Sequence, residues 1–452
     1  MSEAQPNAAE QSYRLDPQSS WANAWKLAAA VAVFGIIGSA FAAFTDHERF
    51  AFSYLYAYIA FLTIPVGGVF FGLLQYLTSS GWSVTIRRVT EFLHGPIWLF
   101  VLLFIPIALN MEQLYPWTHD AHGGGHGAEH GAEHGAAHEG QGEAHGGEHS
   151  GGGEMVGDIP AEGVIEAAEH QKHGQTMAAK TPYLNNSFFF IRALIYFASW
   201  VLISRKLYTN SIKQDASGDP ELTKSSARVA PVFMAIFALT TTFASFDWLM
   251  SLEPTWISTI FGVNFFAQSI VVLFAVTILF ALSLRSQGHF KGALTVEHFH
   301  DLGKLQFGFL IFWAYVNFSQ FMLIWYASIP EETTYYHKRW SLGGDGWKAW
   351  SMAILFGHFI VPFFVLISRN AKRALTPLGI GCSIILFFHF VMVYWLVMPY
   401  YGQGLNPGLA DLACMMAVGG LYFTLVLYRM TKHPLIPIKD PRLDRSIHFV
   451  NA

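Results

Sequence analysis

The sequence predicts an all-α, polytopic membrane protein with ten transmembrane helices. Three observations carry that prediction. Apolar residues make up 53% of the chain and charged residues 13%, about half the charge of a typical soluble domain. The mean hydropathy is positive, at +0.34. Ten apolar runs each reach the ~20 residues needed to cross a hydrocarbon core of about 30 Å. A soluble globule of 452 residues and a predominantly disordered chain are both excluded.

In order, the runs cover residues 23–44, 50–78, 84–109, 185–209, 228–250, 255–284, 303–328, 345–368, 375–399 and 407–430. They are uniformly apolar rather than alternating, which selects helices over barrel strands. The second and sixth are long enough to require tilt or extension past the bilayer. Residues 1–22 form a polar tail without a basic-then-apolar leader, so no cleaved signal is expected. The first three helices occupy 23–109, a polar insertion 110–184, the remaining helices 185–430, and a second tail 431–452. Loops on the side of the two termini hold twenty Lys and Arg and the opposite loops six, with Arg192 inside the fourth helix. This bias predicts cytoplasmic termini and a periplasmic insertion.

Residues 110–181 contain twelve acidic residues, two lysines and ten of the twenty histidines. Their net charge is −10 against −4 overall, which leaves +6 for the remainder. His126, His130, His134 and His138 recur every four residues. In a helix they would form a stripe of imidazoles able to take Zn²⁺ or Cu²⁺. The intervening glycines oppose a helix, so the alternative is a solvated spacer with incidental metal affinity. Cys382 and Cys414 are too few for an iron–sulfur site, and no haem-attachment motif is present, so no covalent cofactor is expected. Neither a Walker loop, GxSxG nor HExxH occurs, and nothing points to nucleic acid.

Ionisable groups at membrane depth are costly and need a reason, at about 2.5–3.5 kcal/mol each on insertion scales. Glu91 and His94 share a face of the third helix, ~5 and ~10 Å below the Arg87–Arg88 level. They are either the start of a proton path or an ion pair with Arg87 beside a hydrogen-bonded histidine. The sequence His94-Gly95-Pro96 predicts a kink. Asp247 lies ~28 Å along the fifth helix from Arg228, near the outer face, with Ser251 one turn beyond. It is either a quinol ligand that accepts a proton or the counterion of Arg192. Gln320 in the seventh helix, His358 in the eighth and His389 in the ninth, with Asn264 and Gln268 in the sixth, suggest a polar track. Satisfied interhelical hydrogen bonds are the plainer reading of each histidine. Axial haem ligation lacks a repeated histidine spacing to support it.

Three long segments bear on family: Ala244 to Gly262 (ASFDWLMSLEPTWISTIFG), Asp301 to Tyr336 (DLGKLQFGFLIFWAYVNFSQFMLIWYASIPEETTYY) and Gly357 to Arg373 (GHFIVPFFVLISRNAKR). In these the chain resembles the NrfD/PsrC-like membrane subunits of bacterial alternative complex III, a quinol:cytochrome c or quinol:oxidase oxidoreductase. The resemblance covers nearly everything except the first ~20 residues and the insertion, and is strongest to the second of the two such subunits in that complex. It implies two four-helix bundles, helices 2–5 and 6–9, with helices 1 and 10 flanking them. It implies a bacterial inner-membrane location and no redox centre in this chain. Menaquinone or ubiquinone would be the small-molecule partner, and iron–sulfur clusters and c haems would belong to other subunits. Those partners would be a companion NrfD-like subunit, a periplasmic iron–sulfur subunit, multihaem and monohaem cytochromes c, small membrane subunits and lipid. Within that frame Asp247, Ser251, Gln320 and His389 are quinol-site candidates, and Glu91, His94, His358 and Arg192 are proton-path candidates. A structural anchor without quinol turnover is the alternative. A metal-ion transporter with a histidine-rich capture loop is the rival from another class, and it would need a ring of carboxylates and histidines at midplane.

Overall fold

The computed structural model describes residues 13–120, 176–290, 292–340, 344–402 and 405–451. The four-residue histidine spacing of the insertion, and most of the insertion itself, lie outside them. The described residues are helical and contain no strand. Ten helices are long and apolar enough to cross a membrane: α1 (Ser20–Thr45), α2 (His47–Leu77), α3 (Val84–Leu109), α4 (Asn186–Ser217), α5 (Pro220–Leu252), α6 (Phe261–Ser286), α7 (Val296–Ala327), α8 (Gly346–Leu366), α9 (Leu375–Tyr400) and α10 (Leu409–Lys432).

Local sequence explains the ends. Asp46 caps α2 by accepting from the Arg49 amide, and Asn185 caps α4 by accepting from that of Phe188. The α4–α5 turn is two residues, Gly218-Asp219. Gly218 takes the left-handed conformation at φ +69°, Asp219 caps α5, and Pro220 opens it. Because this hairpin is tight, both helices run past the predicted apolar limits. At 33 residues α5 is ~50 Å long and outreaches a bilayer core. The α3 backbone narrows to a 3₁₀ turn over Gly95–Trp98, at the predicted kink. The stretch after α7, read from sequence as a loop, contains a further helix, Pro330–Trp340.

Helices α2 and α6 are the centre of the molecule. In their most apolar windows 94% and 78% of residues are buried, against 22% in α1. Their contact is backbone to backbone: a Cβ on Gly67 would stand 2.2 Å from the Ser269 carbonyl oxygen. Around α2 pack α3, α4 and α5; around α6 pack α7 and α9, with α8 against α9. Helices α1 and α10 form a separate pair beside α2, joined through Gly35, Gly38 and Gly420, where small residues let the backbones close up. The packing is therefore two four-helix groups and a flanking pair. Both described chain ends lie on one face, where the Leu435 amide donates to the Tyr13 carbonyl. That face is called the terminal face below.

Candidate functional site

At the terminal face, the first turns of α3 hold a buried ionic network. The Arg87 Nε donates to Glu91 Oε1 at 3.0 Å, and the second guanidinium nitrogen of Arg87 pairs with Asp440 at 2.8 Å. Arg88 pairs with Glu91 at 2.9 Å and with Asp215, near the end of α4, at 2.7 Å. Burial raises the Asp440 carboxyl, but Arg87 and Arg442 outweigh it and hold its pKa at about 2. Glu91 is thus balanced by two arginines of its own helix, and those arginines tie α3 to α4 through Asp215 and to the C-terminal tail through Asp440. One turn deeper, the Ser204 hydroxyl donates to the His94 carbonyl at 3.0 Å, which leaves its oxygen to accept from His94 Nδ1 at 2.8 Å. His94 Nε2 is buried among the glycines of α2, near Gly72, and has no hydrogen-bond partner among the described residues.

Near the opposite face, Asp247 is fully buried, and both of its carboxylate oxygens accept hydrogen bonds. Arg192 meets it bidentately, Nε to Oδ2 at 2.8 Å and the terminal nitrogen to Oδ1 at 2.9 Å. The Tyr196 hydroxyl donates to Oδ2 at 2.7 Å. Arg192 also donates to the Tyr183 carbonyl at 2.8 Å and lies 3.8 Å over the Tyr183 ring and 4.3 Å over Phe188. Ser251 donates to the Asp247 backbone carbonyl and not to its carboxylate. Trp248 seals the pair from the bundle interior, packed among Tyr58, Phe104, Phe197 and Trp200. Of the two readings of Asp247, this geometry favours the counterion of Arg192: both carboxylate oxygens already accept hydrogen bonds, two on Oδ2 and one on Oδ1.

The second group of helices carries the polar track. His389, buried at the meeting of α9, α2 and α6, donates Nε2–H to the Ala60 carbonyl at 2.9 Å and sits 3.2 Å from Thr63 Oγ1. Its Nδ1 accepts from Gln268 at 2.6 Å, which sets the neutral tautomer. Asn264 and Asn317 exchange reciprocal amide bonds at 2.8 and 3.0 Å, clasping α6 to α7. Gln320, also buried, accepts from Ser258 at 3.2 Å. Gln306, Trp313, Asn317 and Gln320 lie on one stripe of α7 by their spacing of seven, four and three residues. Both amide atoms of Gln306 are buried without a partner among the described residues.

His358 differs from His389. It lies in a π-helical segment of α8, Leu355–Ile360, where one residue too many per turn pushes the side chain inward. It is fully buried, with its ring 4.4 Å from that of Trp313 in an edge arrangement. The Ile385 carbonyl on α9 is close enough to interact with the ring, but neither ring nitrogen makes a hydrogen bond of good geometry among the described residues. Among the described residues no three His, Cys, Asp or Glu side chains converge, so the ring of ligands a divalent-cation transporter needs is not formed by them.

Sequence reasoning missed several buried charges. Asp411 at the start of α10 pairs with Arg49 at 3.0 Å and accepts from Ser53. Arg339, on the helix after α7, donates to the Trp395 and Leu396 carbonyls at 3.2 and 3.0 Å, balancing the carboxyl end of α9. Asp411 carried a signal, an acid at the edge of an apolar run. Arg339 carried none, because its partners are backbone. No family model matches the chain, and no curated protein does. Fold and site define a ten-helix polytopic membrane protein with two buried charge clamps and an interior polar track.

Proposed function

We propose that this chain is a membrane subunit of a respiratory quinol oxidoreductase of the alternative complex III kind, itself without a redox centre, and that its second four-helix group carries protons. The observation that carries the proposal is His358: a buried imidazole at a π-helical turn, with no hydrogen bond of good geometry on either nitrogen among the described residues and a second histidine on the adjacent helix. A group that relays protons needs one open donor or acceptor at each visit. His358 has that freedom and His389, fully bonded, does not. The intervals along α7 are too long for direct hops, ~10 Å from Gln306 to Trp313, so ordered water would complete the route. The engagement of Asp247 by Arg192 and Tyr196 supports quinol oxidation in the companion subunit, with iron–sulfur clusters and c haems in the peripheral partners. The same engagement also favours the second reading, a structural anchor without turnover. The twenty-to-six cation split supports a bacterial inner membrane with cytoplasmic termini and a periplasmic insertion.

The test is the whole complex in liposomes, measuring quinol:acceptor turnover and proton translocation together. His358→Ala should lower protons moved per electron while turnover stays within about twofold, with Gln less affected than Ala because an amide still holds water. An unchanged proton stoichiometry in His358→Ala would leave the anchor reading standing.

A further inference from the structure

A cavity of about 330 Å³ opens between α3, α4 and α10 at the terminal-face end of the spans. Its walls include Gly95, Trp98, Ser204, Arg205, Tyr208 and Arg429. Two of these are cations, and neither has a carboxylate within ion-pair distance among the described residues. Arg49, Arg87, Arg88, Arg192 and Arg373 each meet a carboxylate, and the buried Arg339 donates to three backbone carbonyls, whereas neither Arg205 nor Arg429 has a hydrogen-bond acceptor of either kind among the described residues. Arg429 is half-buried, its guanidinium 4.9 Å over the Tyr208 ring. It is held there by the absence of a side chain at position 95, since a Cβ on Gly95 would stand 2.1 Å from an Arg429 nitrogen. A guanidinium taken partly out of water with neither a counterion nor a carbonyl acceptor is unfavourable, so the site is incomplete as the chain alone forms it. The acids nearest this corner, Glu91 and Asp215, are already consumed by Arg87 and Arg88. Positive charge is in excess around it: His433 is driven down to a pKa of about 4 by burial and by Arg88, Arg14 and Arg429.

We infer that this cavity binds the phosphodiester headgroup of an anionic phospholipid. The phosphate would sit between Arg429 and Arg205, with the Ser204 side of the wall behind it and the acyl chains leaving past Trp98, which is 40% exposed on the outer surface of α3. The depth suits a headgroup: Arg429 is three residues from the end of α10. Two arginines around one cavity match the charge and the acceptor count of a phosphate better than those of a zwitterionic lipid, whose amine they would repel.

The full chain, purified in detergent and stripped of lipid, should melt higher as phosphatidylglycerol is titrated into the micelles, and not with phosphatidylcholine. In an Arg205→Gln, Arg429→Gln double variant the apparent Kd for phosphatidylglycerol should rise at least about tenfold, since each lost charge-assisted bond is worth roughly that factor. Lys213→Gln, an exposed cation on the same helix as Arg205, should titrate like the parent. Gly95→Ala changes no charge but displaces the Arg429 guanidinium, and should weaken binding too. If the double variant does not fold, Arg205→Gln decides, because Arg205 is exposed and unpaired and its loss cannot unfold the chain; it should bind severalfold more weakly. The inference is overturned if these variants titrate like the parent, if phosphatidylcholine matches phosphatidylglycerol, or if inorganic phosphate alone gives the whole shift.

Discussion

Replacing Asp247 by Asn separates a charge clamp from a quinol ligand. The carboxylate is completely buried and the Arg192 side chain is 7% exposed, so the pair is shielded from water on both sides. With its oxygen at the Oδ2 position Asn still accepts from Arg192 Nε and Tyr196, but it turns an amide NH2 toward the other guanidinium nitrogen of Arg192. Arg192 retains its bond to the Tyr183 carbonyl and its stacking on two rings, but its charge is left without an anion. Removing one member of such a buried pair costs about 3–5 kcal/mol. The single variant should therefore melt several degrees lower in detergent. Adding Arg192→Met should restore part of that loss, because neither ion then has to be desolvated. A single variant as stable as the parent but slower in quinol oxidation would refute the clamp and reinstate Asp247 as a quinol group. A double variant no more stable than the single one would show that shape rather than charge is decisive.

Three further outcomes follow from the structure. Gly67→Ala should destabilise the chain severely in a melting assay, because its Cβ would meet the Ser269 carbonyl oxygen at 2.2 Å, whereas Gly308→Ala, with open space around it, should be neutral or mildly stabilising. His433 has a folded pKa of about 4, below its ordinary value, so the native state keeps it neutral; its contribution is full above pH ~6.5 and is lost as pH falls toward 4, and His433→Gln should flatten the melting temperature over that window. Alkaline phosphatase fused after residue 150 should be active and after residue 218 inactive, and the reverse pattern would invert the membrane orientation.

The sequence by itself determined the ten spans, the break at His94-Gly95-Pro96 and the two alternatives for Asp247. All of these depend on near neighbours or on a sum over about twenty residues, so apolar content and proline chemistry settle them locally. Even the Arg192–Asp247 pairing was legible, because two opposite charges at similar depth have few other partners. What only the tertiary structure decided is which face of each helix meets which neighbour. In a membrane both the buried and the lipid-facing sides of a helix are apolar, so periodicity carries little of the rotational phase that places Arg88 on Asp215, Arg87 on Asp440 and Arg49 on Asp411. The π-helical turn that presents His358 went unread in the sequence, although Pro362, four residues on, has no amide to donate to the His358 carbonyl. The incomplete charge of Arg429 also emerges only in three dimensions: it requires α3, α4 and α10 to converge on one corner and the acids there to have been taken by other arginines.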